Sequence, residues 1–279
     1  MLDLKPATLR AWERRFGVPS PQRAANGYRL YSQSDIAILR QLVDRLDRGA
    51  RIGHAVLGLN ASAAAPTLEL DGLRLRLAEA LLRLDERQAT IILREALALH
   101  PVETVLTQVI EPMLVWIGDT WRAGQISIGV EHFASGLFVR QLVALLLAAP
   151  DPWRPGRLLA ACLPGEQHEI GLLELTVALR RRGWDVIYLG ANLPYDDLES
   201  AVAVQRPSVV LLSATSPLDT RQLAVLSEVA RRLTSPQTGV VLGGLAVRGR
   251  QADLNPTPIV DGTLSEVVSG LETILVGRS

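Results

Sequence analysis

The stretch Pro164–Gly171, P-G-E-Q-H-E-I-G, puts His168 at the end of an apolar strand pattern (Arg157–Leu163) and directly ahead of a long helical one. The chain has only 4 histidines. An imidazole in a loop at the carboxyl edge of a parallel sheet is placed to ligate, because open α/β sheets bind their ligands at that edge. A structural histidine would more naturally face the core from within a helix or strand. Glu166 is spaced to accept a hydrogen bond from the ring nitrogen that does not ligate, which fixes the tautomer and raises the basicity of a ligand. Gln167, Glu169, Ile170 and Gly171 complete the segment. A helix starting after Gly165 brings N–H groups and a positive dipole end to the same edge. Two more loops fall there: Ser213-Ala214-Thr215 after one apolar strand and Gly243-Gly244 after the next. Paired glycines let the backbone approach a flat ligand closely. A satisfied polar loop with ordinary turn glycines fits the same spacing.

Two further groups could do chemistry. Trp121 to His132 reads W-R-A-G-Q-I-S-I-G-V-E-H, and with Trp116 it surrounds a turn between two helical patterns. Either both tryptophans are core and Glu131-His132 is solvated, or one of that pair faces an interdomain space, since neighbours on a helix cannot point the same way. Near the start, Arg10, Arg14 and Arg15 lie at helical spacing, where they can meet phosphates or base edges. Tyr28, Arg29 and Tyr31 follow in a short aromatic piece suited to backbone contacts. A solvated basic helix is the alternative. Trp12, Phe16, Leu30 and Leu39 read as the core of this small segment.

The elements that must position these residues fall into three segments. Leu4–Phe16 and Ser34–Arg48 have helical periodicity, with Ile36, Leu39, Leu42, Val43 and Leu46 on one face of the second. Turn-rich Gly17–Gly27 lies between them, and the small residues Ala61–Pro66 read as a linker. From Leu68 to Ala149 the pattern is all helical. Leu73, Leu77, Leu81 and Leu84 form one stripe, and Ile91, Ile92, Glu95 and Leu99 lie on the next helix. Pro101–Ile117 and Ile128–Leu147 supply two more. Four such helices with short connections predict an antiparallel four-helix bundle. After Pro150–Pro155 the period changes. Arg157–Leu163, Asp185–Leu189, Ser208–Ser213 and Gly239–Leu242 are short apolar strands, with Ile259–Val260 as a fifth. They alternate with helices at Glu169–Arg182, Tyr195–Val204, Leu218–Leu233 and Ser265–Ile274, the pattern of a parallel sheet covered on both faces.

The 279 residues have room for about two ordinary domains. A formal charge of +0 gives no global bias toward nucleic acid or membrane. Met1–Ala50, however, carries nine Lys/Arg against five Asp/Glu. The single cysteine, Cys162, lies in an apolar strand, so a disulfide framework is excluded and a reducing interior is expected. No stretch reads as a membrane span, and a cytoplasmic location is expected.

Glu166-x-His168-x-x-Gly171, Ser213-x-Thr215 and Gly243-Gly244, in that order, resemble the cobalamin-binding domain, whose usual signature is Asp-x-His-x-x-Gly, Ser-x-Leu/Thr and Gly-Gly. Glu166 departs from the usual Asp, but Gly-Glu-x-His-Glu-Ile-Gly is similar to the version in light-responsive, cobalamin-dependent transcriptional repressors. The N-terminal motifs likewise resemble the recognition helix and wing of MerR-type regulators. The resemblance covers essentially the whole chain. It implies a multidomain protein: a winged helix-turn-helix segment (1–60), a four-helix-bundle cap (67–150) and an α/β, Rossmann-like cobalamin-binding domain with a parallel sheet (156–279). Met1 falls where the family's helix-turn-helix reaches its turn, so the DNA-binding segment is expected to be truncated and to lack its first helix.

By the same resemblance His168 is the lower axial ligand of cobalt. The cofactor's nucleotide tail passes the Ser/Thr and double-glycine loops. Trp121 covers the upper face, while Glu131 holds the adenosyl group of adenosylcobalamin by hydrogen bonds, with His132 beside it. Arg122 stands where the better known repressors carry a histidine that binds cobalt once adenosyl has left. An arginine has no lone pair to offer, which leaves His132 or water for that place. Some relatives add a bilin, a linear tetrapyrrole, and no motif here marks one. The expected function is an adenosylcobalamin-dependent, light-sensing transcriptional regulator, not an enzyme. Promoter DNA is its expected partner, and a dimer or dimer of dimers its assembly. The competing readings are a cobalamin module of a methyltransferase or mutase system, and a storage module or photosensor without competent DNA binding.

Overall fold

The computed structural model describes residues 69–276 and, upstream of them, residues 8–9, 12–13, 19, 21–23, 29–31, 35, 39–40 and 42–43. The chain divides into two compact units, Met1–Leu75 and Arg76–Ser279.

In the first unit, β1 (Gln22–Arg23) pairs antiparallel with β2 (Arg29–Leu30), joining Gln22 to Leu30 and Arg23 to Arg29. The short hairpin borrows its first strand from the segment that reads as turn-rich. Residues 8–9, 12–13, 39–40 and 42–43 are helical, and Leu39 and Leu42 are buried. Arg29 Nε lies 2.7 Å from Glu13 Oε2. Arg10, Arg14, Arg15 and Tyr28 lie outside the described residues.

The second unit opens within helix α1, residues 69–82, whose Leu73, Leu77 and Leu81 are buried on one stripe. Leu84 does not continue it: it follows the helix end with φ 56° and is exposed. Helix α2 (Glu86–Leu99) starts at Asp85, whose side chain accepts from the Gln88 N–H. Its core face is Ala89, Ile92, Leu93 and Ala96. Of the predicted stripe only Ile92 belongs; Ile91 and Leu99 are exposed, and Glu95 forms a two-pronged pair with Arg76 of α1. Two small alanines on the inner face mislead an apolar-stripe reading by one residue.

Helix α3 (Val102–Val105), a π-helical turn (Leu106–Ile110) and α4 (Glu111–Arg122) follow without a break. The wide turn sits just ahead of Pro112, which cannot donate to an earlier carbonyl; the Glu111 N–H reaches back to the Leu106 carbonyl instead. The helix therefore runs beyond Ile117 and stops at Gly124, φ 70°. Helix α5 (Ile128–Leu147) is capped by Ser127 and buries Ala134, Leu137, Phe138 and Leu142. Contrary to the expectation from sequence, α5 is long and apolar enough, by length and composition, to cross a membrane. Its buried face packs in the bundle, and α5 also contacts the helix that follows the first strand of the α/β domain.

That domain has β3 (Arg157–Cys162), α6 (Ile170–Arg181), β4 (Asp185–Gly190), α7 (Tyr195–Gln205), β5 (Val209–Ser213), α8 (Thr220–Leu233), β6 (Gly239–Gly243), α9 (Gln251–Leu254), β7 (Ile259–Val260) and α10 (Leu264–Val276). The strands lie in the order β4-β3-β5-β6-β7, all parallel. Leu159, Val210, Val240 and Leu242 in the sheet and Leu226 and Ala230 on α8 share one buried cluster. The chain leaves β3 toward β4 on one side and later returns to β5 on the other. The loops after β3 and β5 therefore diverge, and this switch point is where a sheet of this order opens a binding crevice.

Candidate functional site

Pro164–Glu169 joins β3 to α6 at the switch point and Ala214–Asp219 joins β5 to α8, so both loops leave the carboxyl edge side by side. Glu166 ties them together. Its Oε2 accepts the Thr215 and Ser216 N–H groups, each at 2.6 Å, while Oε1 accepts the His168 N–H at 2.7 Å. The His168 ring meets the same oxygen, Nδ1 to Oε1 at 2.6 Å, and Ser216 Oγ lies 3.2 Å from both Oε1 and Nδ1. Glu166 is 3% exposed. Burial opposes its ionisation, but the N–H groups of Ser216, His168 and Thr215 and the His168 side chain outweigh it, and the carboxyl is held down to about 2.

A carboxylate has no proton to give, so Nδ1 carries the hydrogen, and in the neutral ring Nε2 is the nitrogen with the lone pair. The His168 side chain is 68% exposed against 3% for Glu166. The loop thus presents a basic Nε2 outward from an imidazole whose other nitrogen is fixed from behind, the arrangement of a metal-bound histidine. Among the described residues no group of three or more His, Cys, Asp or Glu could hold a metal ion. This donor set suits a metal that brings its own equatorial ligands and takes one axial nitrogen from the protein. Cys162 is buried, and burial foremost, with the charges of Glu166 and Glu169, pushes its thiol up to about 12, which leaves it inert.

Beside this pair a cavity of about 200 Å³ opens between α6 and α10, floored by β5 and β6. Gly171, Ser213, Thr215, Gly243 and Gly244 all line it. Gly244 and Gly171 differ in purpose. A Cβ on Gly244, φ 99°, would sit 2.2 Å from the Ala214 carbonyl oxygen, so the constraint is the neighbouring loop's backbone. A Cβ on Gly171 would meet nothing within 4 Å. Glu174 lines the cavity at 4% exposure, and its Oε1 has no hydrogen-bond partner. Burial first, then the nearby Glu111 carboxylate, pushes the Glu174 carboxyl up to about 8. A space bordered by apolar side chains, open glycine and an unpartnered acid fits an extended organic tail.

The remaining predicted residues divide. Gln167 is exposed, and Ile170 begins α6 half-buried. Glu169 turns toward β4, where its Oε2 accepts the Tyr188 hydroxyl at 2.7 Å. On the bundle, Trp121 is 45% exposed in the last turn of α4. Glu131 accepts from Ser135 Oγ at 2.7 Å through one oxygen and lies 2.5 Å from His132 Nδ1 with the other. Arg122 pairs with Asp119 on the surface. No hydrogen bond or ion pair among the described residues joins this group to His168. Sequence reasoning missed Ser216 and Glu174. Ser216 adjoins the Ser-x-Thr motif, and Glu174 stands as a lone carboxylate inside I-G-L-L-E-L-T-V-A-L.

Comparison with known proteins agrees with this geometry. Residues 156–273 match the B12 binding domain family, residues 73–146 a second B12 binding domain family, and residues 1–59 the MerR HTH family regulatory proteins. The chain is 34% identical to the HTH-type transcriptional repressor CarH of Myxococcus xanthus, over 88% of this chain and 86% of that protein. It is also 34% identical to the repressor CarA of the same organism, over 89% and 85%. The monomethylamine corrinoid protein of Methanosarcina barkeri shares the fold, with a TM-score of 0.60 at 16% identity over 73% of this chain and 99% of that one. With helix-turn-helix, bundle and sheet domains matched in order, this chain is a cobalamin-binding member of the MerR-type family of HTH transcriptional repressors to which CarH and CarA belong.

Proposed function

We propose that this regulator uses adenosylcobalamin and senses light, changing its assembly state and its hold on promoter DNA when the upper axial ligand is lost. The observation that carries the reading is the Glu166–His168 pair, with its outward, lone-pair Nε2 beside a cavity that suits the cofactor's tail. His168 would offer Nε2 to cobalt, and Glu166 holds the proton on Nδ1 so that Nε2 is the nitrogen facing outward. Ser213, Thr215, Gly243 and Gly244 border the tail, while Gln167, Glu169, Ile170 and Gly171 shape the loop around it. On the bundle, Trp121 shields the upper face, and Glu131 and His132 hold the adenosyl group. When bound, adenosylcobalamin supplies a light-labile cobalt–carbon bond.

Arg122 has no lone pair to offer once the adenosyl group is gone, which would leave that place to His132 or water. Arg10, Arg14 and Arg15 meet phosphates and base edges, and Tyr28, Arg29 and Tyr31 contact the backbone from the wing. MerR-type heads act in pairs, so the assembled form is a dimer or a dimer of dimers in the cytoplasm. Greater stability of one assembly with the adenosyl group enclosed provides the coupling to DNA. The test is reconstitution in darkness, with absorbance, molecular mass and operator-fragment binding followed before and after illumination. The expected result is a histidine-ligated spectrum, lost in His168→Ala, and a light-dependent change in mass. Corrinoid uptake with unchanged mass and DNA binding in light and dark would refute the light-sensing claim while leaving cobalamin binding intact.

A further inference from the structure

His168 stands on a loop that β3 delivers between two neighbouring strands, β4 on one side and β5 on the other. The β5 side holds that loop through the Glu166 carboxylate. The β4 side holds its main chain, and there Asn192, in the loop between β4 and α7, makes a pair of contacts. Its side-chain Oδ1 accepts the Gly165 N–H at 2.7 Å. Its own N–H donates to the Glu166 carbonyl at 2.9 Å. Between these contacts the chain turns sharply: the Glu166 N–H reaches back to the Leu163 carbonyl at 3.0 Å, and Gly165 has φ 81°. Farther along, the Tyr188 hydroxyl of β4 holds Glu169. Asn192 itself has φ 52°. That left-handed backbone favours glycine or asparagine, and glycine serves just upstream, where Gly190 has φ 81°. What asparagine adds is an amide side chain, and its oxygen is spent on Gly165.

Glu166 is thus gripped at both ends: its carboxylate by Thr215 and Ser216 of the β5 loop, its carbonyl by Asn192 of the β4 loop. A side chain fixed only at its tip leaves its backbone free to turn about the bonds between. His168, two residues on, would turn with that backbone. The imidazole also meets Glu166 Oε1 at 2.6 Å, so its direction depends on both grips. We propose that Asn192 is a positioning residue for His168, fixing the main chain of the Gly165–Glu166 turn so that Nε2 is already aimed when the cofactor arrives. Such preorganisation shows in binding, because ordering a loose ligating group costs part of the binding free energy. The inference rests on His168 ligating cobalt. It goes beyond that in naming a residue, outside the Glu-x-His, Ser-x-Thr and Gly-Gly segments, that sets the imidazole's aim.

The experiment is a double-mutant cycle on the full chain. Spectral titration with adenosylcobalamin in darkness gives the affinity and, at saturation, the ratio of histidine-ligated to unligated bound cofactor. The proteins are wild type, Asn192→Gly, Asn192→Asp, His168→Ala and Asn192→Gly combined with His168→Ala. Asn192→Gly keeps the backbone N–H and tolerates φ 52°, so it removes the side-chain contact alone. It is expected to lower the ligated-to-unligated ratio about fivefold, the equivalent of one hydrogen bond. Affinity should weaken by up to the same factor, and the affinity of His168→Ala should not change. Asn192→Asp, whose side chain again accepts the Gly165 N–H, should restore the wild-type ratio. Equal weakening with and without His168 means that Asn192 acts on the corrin or on the fold at large, and overturns the proposal. A ratio and affinity unchanged in Asn192→Gly, or a loss that Asn192→Asp does not restore, overturns it too. If the wild type takes up no corrinoid, or takes it up without histidine ligation, the reading of the site falls and this inference with it. If the wild type is histidine-ligated and Asn192→Gly matches it, only this inference falls.

Discussion

Replacing Glu166 with glutamine keeps the shape of the side chain and turns half of its acceptor end into a donor. In the native chain Oε2 receives two backbone N–H groups and Oε1 receives a backbone N–H and the imidazole Nδ1–H. Whichever way the amide is turned, its NH₂ faces two donors. At about 1–3 kcal/mol for each buried donor left unmet, and some relaxation of the loops, the cost at neutral pH is about 2–4 kcal/mol. Proton linkage gives an independent figure. Lowering this carboxyl from 4.5 to about 2 corresponds to about 2–3 kcal/mol once partial solvent screening is allowed for. The depressed value means the contribution is fully present above pH 4.5 and drains away as pH falls toward 2. Unfolding free energies of wild type and Glu166→Gln should therefore differ by that amount at pH 7, and the gap should close between pH 4.5 and 2. Comparing the two proteins cancels the other carboxylates. Parallel curves through that window would show that Glu166 is not the group held ionised, and the argument for a fixed imidazole tautomer would fail with it.

Other outcomes follow from the same geometry. Gly244→Ala places a Cβ against the Ala214 carbonyl at φ 99°, so it should destabilise the sheet domain by at least about 2 kcal/mol, read by denaturant melts without cofactor. Gly171→Ala meets open space; its melt should match or exceed the wild type's by a few tenths of a kcal/mol, while cobalamin affinity drops, and an unchanged affinity would separate Gly171 from the ligand. Because burial raises the Glu174 carboxyl to about 8, the folded chain holds a proton that the unfolded chain releases above pH 4.5, and stability is lost as pH rises from 4.5 through 8. Glu174→Leu should remove that loss, gaining about 2–4 kcal/mol at pH 8 and little at pH 4.5; equal pH profiles would contradict it. Arg122→His combined with His132→Ala should match the dark spectrum of His132→Ala and create, after illumination, a two-imidazole spectrum that His132→Ala alone lacks.

Much of this site is legible in the sequence. The strand-then-loop pattern placed His168 at a sheet edge, and the two-residue spacing of Glu166 matched the Nδ1 contact found at 2.6 Å. The strands came out within about a residue of their boundaries because a parallel sheet buried on both faces leaves nearly unbroken apolar runs. The bundle was less legible. On α2, small alanines carry the core face, and an apolar count favours larger neighbours that are in fact exposed. The π-helical turn before Pro112 has no sequence period of its own. Glu166's reach to Thr215 and Ser216 spans 49 and 50 residues, a distance that no local pattern encodes; it became readable only once the strand order set the two loops side by side.

Helix α4 has a property that neither of its ends displays alone. Glu111, its first residue, borders the cavity under the sheet's edge, and Trp121, next to last, stands at the far tip. Ten residues of α-helix make a stiff strut about 15 Å long. A strut that stiff does not absorb a push: tilt one tip and the other must swing. A tilt of this helix about its middle would carry the indole and the acidic foot in opposite directions.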